Sequence, residues 1–304
     1  MEVVVGGIDV AERELLNDKR RVNKYLEAVN QRLPIGGVFE GRVESARIRR
    51  EAMLAKFPRP LNKLIYAVDY LLHRVWPKLP YARALYFAIT KGRGRVMSEM
   101  EAIGRLYACG FKMLRTSVDG SSITFLVEKV GEPAYDMSAT YGPLIRLRRV
   151  GKGGEMIKVF KFRTMAPYSE YIQGYIYERN GYDGGAGFKD DTRITTVGAF
   201  MRKYWLDELP MIWNFIKGDL KLFGVRPVSR QYLGLFPEDF QAYRKRFKPG
   251  LIPPVYVFIP KSFEEIWKIE KAYLEEYEKR PFVTDLRYIG KAVYNIVIKK
   301  VRSS

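Results

Sequence analysis

Asp207 and Glu208 stand side by side in KYWLDELPMIWNFIKGDL, residues 203–220, in a chain whose 53 Lys and Arg outnumber its 34 Asp and Glu. Adjacent carboxylates among cations suit phosphorus chemistry. One can attack phosphorus while the other holds a divalent cation that neutralises phosphate oxygens. Leu209, Ile212, Trp213 and Ile216 follow the i, i+3, i+4, i+7 spacing, which predicts a helix beginning at about Glu208. Asp207 would then be its N-cap, with Pro210 tolerated in the first turn. On that pattern alone Asp207 is a helix cap; as a nucleophile, it would be kept ionised by the positive end of the helix dipole.

The cations such chemistry needs lie upstream and downstream. GPLIRLRRVGKGGEMIKVFKFRTM, residues 142–165, reads as two strands joined by a turn at Gly151 to Gly154, presenting Arg148, Arg149, Lys152, Lys161 and Arg163. Lys161 and Arg163 alternate with Phe162 and are predicted to share one strand face, where two cations can hold a diphosphate. The glycines here lack P-loop spacing. Gly184, Gly185 and Gly187 mark a loop, followed by Asp190, Asp191 and Arg193. A capped helix comes next, with Val197, Phe200, Met201 and Tyr204 on its apolar face and Arg202 beside them. Arg226, set before Pro227, is a further phosphate-facing candidate.

The whole chain limits the alternatives. Its 304 residues and 47% hydrophobic content allow one large or two ordinary domains with a real core. One histidine, His73, and one cysteine, Cys109, argue against His-based catalysis, a zinc site or an internal disulfide. Cys109 in LYACGFKML reads as a buried small hydrophobe. The formal charge of +19 calls for nucleic acid, anionic lipid or phosphorylated substrates, and charge alone does not choose among them. The start shows no secretory pattern, and no apolar window of spanning length occurs.

From the N-terminus, a helical stretch, Pro34 and the strand GGVFEGRVE form an α/β fragment, a partial Rossmann-like pattern without its glycine-rich cofactor loop. From Pro60, apolar residues recur at helical spacing to Val75 and Trp76. A looser helical run then reaches Thr90 and the basic knot Lys91 to Arg95. This segment, about 60–90, reads either as a helix pair packed on a core or as an in-plane helix at a membrane interface. Asp119-Gly120 makes a β-hairpin of FKMLRTSVDGSSITFLVEKV. A linker at residues 133–143 places a boundary near 134, giving regions 1–134 and 135–304. Ser262 with Glu265 predicts a capping box, and a last amphipathic helix ends in Lys299, Lys300 and Arg302.

The ordered set GPLIRLRRVGKGG, KFRTM, DDTRITTVGAFMRKYWLDELPMIWNFIKGDLKLFGVRPVS and FKPG resembles the bacterial sugar transferase family over about residues 141–250. These are monotopic polyprenyl-phosphate sugar-1-phosphate transferases (phosphoglycosyl transferases). The resemblance implies transfer of a sugar 1-phosphate from a UDP-sugar to a polyprenyl phosphate. It places this with Mg²⁺ at the cytoplasmic face of the bacterial inner membrane, in exopolysaccharide, capsule or O-antigen (lipopolysaccharide) synthesis. By motif, the family's Asp-Glu dyad falls on Asp207 and Glu208. Lys161, Arg163, Arg193, Arg202, Arg226 and Pro227 would bind phosphate, and Glu208, Asp190 and Asp191 would hold the metal. The family places an apolar re-entrant helix before its GP strand; here a hairpin and linker occupy that place, and segment 60–90 is expected to meet the membrane instead. FKPG is followed by Leu251-Ile252-Pro253-Pro254 rather than the usual threonine-glycine-leucine run, so acceptor handling is expected to differ.

The expected fold is α+β: a mainly helical monotopic transferase domain with a small β-hairpin, preceded by the α/β region. Expected partners are the UDP-sugar, the polyprenyl phosphate and an anionic membrane surface, with a homodimer left open. The alternative is a non-catalytic nucleotide-sugar or lipid-phosphate binding scaffold. No nucleic-acid-binding module is recognisable, so nucleic acid is not expected.

Overall fold

The computed structural model describes residues 7–79, 81–135, 142–180, 190–258, 260 and 262–298. The expected linker, the loop of Gly184, Gly185 and Gly187, and the terminal Lys299, Lys300 and Arg302 lie wholly or partly outside these. The chain divides into two compact units, residues 1–142 with 165–178, and residues 143–164 with 179–304.

The first unit opens with strand β1 (Val10–Leu15), helix α1 (Val22–Arg32) and strand β2 (Val38–Val43), β2 pairing parallel with β1. This single βαβ unit is the extent of the Rossmann-like pattern. Helices α2 (Ala46–Lys56), α3 (Leu61–Tyr70), α4 (Ala82–Thr90) and α5 (Glu99–Ala108) follow, then the hairpin β3 (Phe111–Asp119) and β4 (Ser122–Lys129) at its predicted place. The sheet order is β1-β2-β4-β3, and β4 pairs antiparallel with β2. Leu16, Leu26, Phe39, Phe111, Phe125 and Val127 form its core. Gly41 is required there, because a Cβ would stand 2.4 Å from the Phe125 ring. Cys109 is buried as expected, and burial pushes its thiol up to about 12.

The second unit carries the predicted two-strand ribbon, β5 (Leu144–Val150) and β6 (Met156–Phe162), paired antiparallel from Leu144↔Phe162 to Val150↔Met156. Helix α6 (Gln173–Asn180) begins in the first unit and leaves it after Glu178. Next come α7 (Thr196–Lys203), α8 (Met211–Ile216), β7 (Lys221–Phe223), α9 (Arg230–Leu233), α10 (Glu238–Lys245), β8 (Gly250–Ile252), α11 (Val255–Phe258), α12 (Phe263–Lys279) and α13 (Pro281–Val297). Ser262 caps α12 by accepting from Glu265 N–H. The core is aromatic, with Phe223, Phe236, Phe240, Tyr273 and Tyr288 packed edge-on or tilted at 5–6 Å, the usual geometry of ring pairs. β7 and β8 pair parallel so closely that a Cβ on Gly250 would lie 2.1 Å from the Gly224 nitrogen.

No helix among the described residues is long and apolar enough to cross a membrane. The apolar spacings near the dyad do form helices, but their stripes do not form core. Val197 and Phe200 on α7 and Tyr204 at its C-terminal end are exposed, as are Leu209 and the α8 residues Ile212, Trp213 and Ile216. The inward positions of α8 are Met211 and Asn214. In so short a helix these two contacts suffice to seat it, leaving the apolar stripe outside.

Candidate active site

Asp207 and Glu208 lie in a 3-10 turn, Leu206–Glu208, and α8 begins only after Pro210. The expected N-cap role for Asp207 is therefore corrected. Pro210 fits the first position of a helix but has no cap acceptor, and the turn is set by Trp205 in the left-handed region, φ 62° and ψ 15°. A bulky residue there is strained by about 1–2 kcal/mol. The Trp205 ring packs edge-on against Tyr256 at 4.2 Å, holding the bend. Upstream, α7 sits against the end of the ribbon. Thr164 O accepts from Thr195 N–H, and a Cβ on Gly198 would meet that same oxygen at 1.9 Å. Thr195 in turn caps α7 through Gly198 N–H.

Both carboxylates are buried, Asp207 at 5% and Glu208 at 8% exposure. Glu208 Oε1 accepts from Lys161 Nζ at 2.6 Å. Asp207 Oδ1 is buried without a hydrogen-bond partner. Burial raises the Asp207 carboxyl above its ordinary value and Glu208 adds to this, while Lys161 and Arg202 pull it back. The cause is therefore opposite to the expected dipole effect: desolvation outweighs the neighbouring cations.

Lys161 meets Glu208 because Asn214 joins α8 to β6. Fully buried, Asn214 accepts from Phe160 N–H at 2.9 Å and donates to Lys158 O at 2.7 Å and to Asp219 Oδ2 at 3.0 Å. An amide side chain thus takes the place of a neighbouring strand on β6.

A cavity of about 70 Å³ gathers Lys161, Glu208, Arg149, Arg226, Pro227 and Tyr256 on its wall. Asp207 is not on that wall but adjoins it through Glu208. Among the described residues, no side chain hydrogen-bonds the Arg226 guanidinium; its backbone is what is held. Arg226 N–H donates to Glu270 Oε1 at 3.3 Å, and Arg244, paired with Glu270 at 2.7 Å, donates to Arg226 O. Burial lowers the Arg149 pKa, and the charge of Arg226 lowers it further. Two cations facing one cavity, neither guanidinium hydrogen-bonded to a carboxylate among the described residues, form a ready seat for phosphate oxygens.

The other expected residues are placed differently. Arg193 donates twice to Asp191, at 2.7 and 2.8 Å, so this cation and this carboxylate satisfy each other. Asp191 is held below the usual carboxylate value because Arg193 outweighs burial. Asp190 is exposed with φ 46°, and its backbone oxygen accepts from Asn180. Arg202 donates to Thr164 Oγ1 at 3.1 Å and lies within the electrostatic reach of Asp207 and Asp191. Arg163 follows the end of β6, and its N–H donates to Pro143 O, extending the pairing with β5 by one residue.

Among the described residues no group of three His, Cys, Asp or Glu side chains could hold a metal. Glu208 with Asp207 nonetheless fits Mg²⁺, which takes one or two carboxylates and completes its shell with substrate phosphates. The orphaned Asp207 Oδ1 is a donor of the required kind. Sequence reasoning missed Asn214, Tyr256 and the Arg244–Glu270 pair. Arg149 was visible as a ribbon cation, but nothing local distinguished it from Arg148.

A family model described as bacterial sugar transferase matches residues 133–299. The chain is 35% identical over 142 residues to the galactosyl transferase CpsE of Streptococcus agalactiae, covering 45% of this chain and 31% of that protein. It is 37% identical over 113 residues to a UDP-N-acetylgalactosamine-undecaprenyl-phosphate N-acetylgalactosaminephosphotransferase of Aeromonas hydrophila, 36% and 24% of the two chains. It is 35% identical over 123 residues to the undecaprenyl-phosphate galactose phosphotransferase of Salmonella typhimurium, 38% and 26%. The chain thus spans between about a quarter and a third of the length of these relatives.

Proposed function

The chain belongs to the bacterial sugar transferase family, and from that premise we propose that it transfers a sugar 1-phosphate from a UDP-sugar to a polyprenyl phosphate, starting a surface polysaccharide such as an exopolysaccharide, capsule or O-antigen. The observation that carries this reading is the turn of Asp207 and Glu208, buried beside a cavity lined by Lys161, Arg149 and Arg226.

Asp207 attacks the sugar-linked phosphorus. A carboxylate O–P bond forms as the P–O bond to UMP breaks, and UMP leaves with that electron pair. The polyprenyl phosphate oxygen then displaces the carboxylate, giving the lipid diphosphosugar and restoring Asp207. Desolvation of Asp207 raises its nucleophilicity once ionised, and Lys161 and Arg202 favour the ionised form. Arg226 and Arg149 hold diphosphate oxygens, and Lys161 keeps Glu208 oriented. Positioning and charge neutralisation of this kind supply most of the acceleration in phosphoryl transfer. Glu208, with Asp207, would hold Mg²⁺, which when bound neutralises charge on the phosphates. Arg202 stays near Asp207 as an electrostatic partner, whereas Arg193 with Asp191 braces the approach to α7 rather than binding substrate or metal.

The exposed stripes of α7 and α8 beside the dyad suit an isoprenoid chain, and the reading places the protein on the cytoplasmic face of the bacterial membrane, peripheral or monotopic. The test is release of UMP from a panel of UDP-sugars by full-length protein with Mg²⁺ and polyprenyl phosphate. Release that needs the acceptor for turnover, and is lost on Asp207→Asn, is expected. No release from any donor by folded protein in lipid would favour a binding scaffold instead.

A further inference from the structure

Helix α3 is inside out. The residues it buries are polar: Asn62 donates to Leu54 O at 2.9 Å, and Asp69 receives two bonds from Arg49 at 2.6 and 2.8 Å. Where α3 runs on through a π-helical turn, Leu71–Val75, Arg74 is buried too, bonded to Val96 O and Glu101. The large apolar residues left in solvent are Leu61, Leu64, Val68 and Leu71, which fall on one stripe at 3.6 residues per turn. Helix α4 buries Tyr86 but also leaves large apolar residues in solvent: Tyr81 before it is 94% exposed, and Leu85 and Ile89 are 53% and 70% exposed. Folding alone does not select such an arrangement. A helix of this amphipathicity in a water-facing setting turns its apolar stripe to the core, whereas here the polar side is the one fastened down.

The charge around the stripe identifies what covers it. Between Lys56 and Ser98 the sole acidic side chain is Asp69, which is buried and consumed by Arg49. Lys56, Arg59, Lys63, Arg83, Lys91 and Arg93 in the same span are all exposed. The basic knot is also fixed in place: Gly94 N–H donates to Asp18, and the Arg95 guanidinium bonds Lys19 O and Gly92 O. An apolar stripe in a span whose exposed charged side chains are all basic is complementary to acyl chains beneath anionic headgroups. It does not match an acidic protein groove, which would leave the leucines unsatisfied.

We propose that α3 and α4 of the first unit form a lipid-docking face, resting in the plane of an anionic leaflet with Leu64, Val68, Leu85 and Ile89 in the acyl boundary and Lys63, Arg83 and Lys91 at the headgroups. The long lysine and arginine stems reach the phosphates while their neighbours stay in hydrocarbon.

Flotation of the full chain with phosphatidylcholine vesicles, with and without phosphatidylglycerol, tests this with no donor or acceptor present, so the outcome is independent of the transfer reaction. Wild type is expected to float with the anionic vesicles. Leu64→Glu with Ile89→Glu should cut the partition coefficient about tenfold or more. Lys63→Gln with Lys91→Gln should cut it about fivefold per charge on anionic vesicles and leave neutral ones unaffected. All four sites are exposed, so folding is retained, as melting curves would verify. Cys109 is 1% exposed, so an environment-sensitive thiol dye reports introduced cysteines only. The dye should shift to the blue on vesicles at Leu64→Cys and not at Val118→Cys, an exposed position on β3 outside the proposed face. Undiminished flotation of the double glutamate variant, a wild type that stays unbound, or a wild-type dimer lost in that variant would each overturn the proposal, the last by making the face a seat for a second copy.

Discussion

Asn214→Ala strands the β6 groups that the amide serves, the Phe160 N–H and the Lys158 carbonyl, and removes the bond to Asp219. Leaving a buried backbone group unpaired costs about 1–3 kcal/mol. Two such groups give a loss of about 2–6 kcal/mol, or a fall of roughly 5–20 °C in Tm for a unit of this size. Asn214→Asp separates this mechanism from simple loss of packing. It still accepts from Phe160 N–H, but it sets a carboxylate oxygen where Nδ2 stands, 2.7 Å from Lys158 O and 3.0 Å from Asp219 Oδ2. That oxygen faces two acceptors, so the variant should be less stable than Asn214→Ala at neutral pH and should recover on acidification, when protonation restores a donor. Urea unfolding followed by tryptophan fluorescence reads both variants, since Trp205 and Trp213 flank this region. Donor KM should rise with the loss of stability, because Lys161 follows Phe160 directly on β6 and is paired with Glu208. An Asn214→Asp protein as stable as wild type at pH 7, or Asn214→Ala within about 0.5 kcal/mol of it, would refute the assignment.

Further expectations concern the dyad and its cations. Glu270→Ala leaves the guanidinium of Arg244 buried without its carboxylate and releases the Arg226 backbone; it should cost about 3–5 kcal/mol in denaturant unfolding, whereas Glu270→Gln, keeping an acceptor, should cost less. Burial raises the Asp207 carboxyl, so the folded chain holds this proton more tightly than the unfolded one. Its contribution to stability is full below the unfolded carboxylate range and is lost as pH rises through the folded pKa. Asp207→Asn should therefore melt above wild type at pH 7.5, with the gain shrinking towards pH 4 (about the unfolded carboxylate value), and a gain independent of pH would contradict this. The same shift should place the acid limb of the wild-type activity profile above the ordinary aspartate range.

The motifs that carry the chemistry were local in sequence, and so were legible. The dyad, the ribbon cations and Arg226 are each recognised within a few residues, and the cavity brings Lys161, Glu208 and Arg226 together. Periodicity also placed the hairpin at Asp119-Gly120 and the helices around the dyad. It could not tell which way a stripe faces. The spacing of Leu209, Ile212, Trp213 and Ile216 is the same whether the partner is a core or a surface, and here all four are exposed. The N-cap assignment failed because Trp205 adopts a left-handed turn that no local pattern marks, postponing α8 past Pro210. Arg193 and Asp191, two residues apart, look like a metal ligand beside a phosphate cation; only geometry reveals that they neutralise each other. The Arg244–Glu270 clamp joins residues too distant in sequence for any spacing rule to connect.

A covalent phosphosugar on Asp207 has a direct kinetic signature, exchange of labelled UMP into the UDP-sugar with no polyprenyl phosphate present. Exchange by wild type, abolished in Asp207→Asn and accompanied by an intact-mass increase of one sugar phosphate, is the expected result. Transfer to the lipid acceptor without any UMP exchange or adduct, or exchange undiminished in Asp207→Asn, would contradict it.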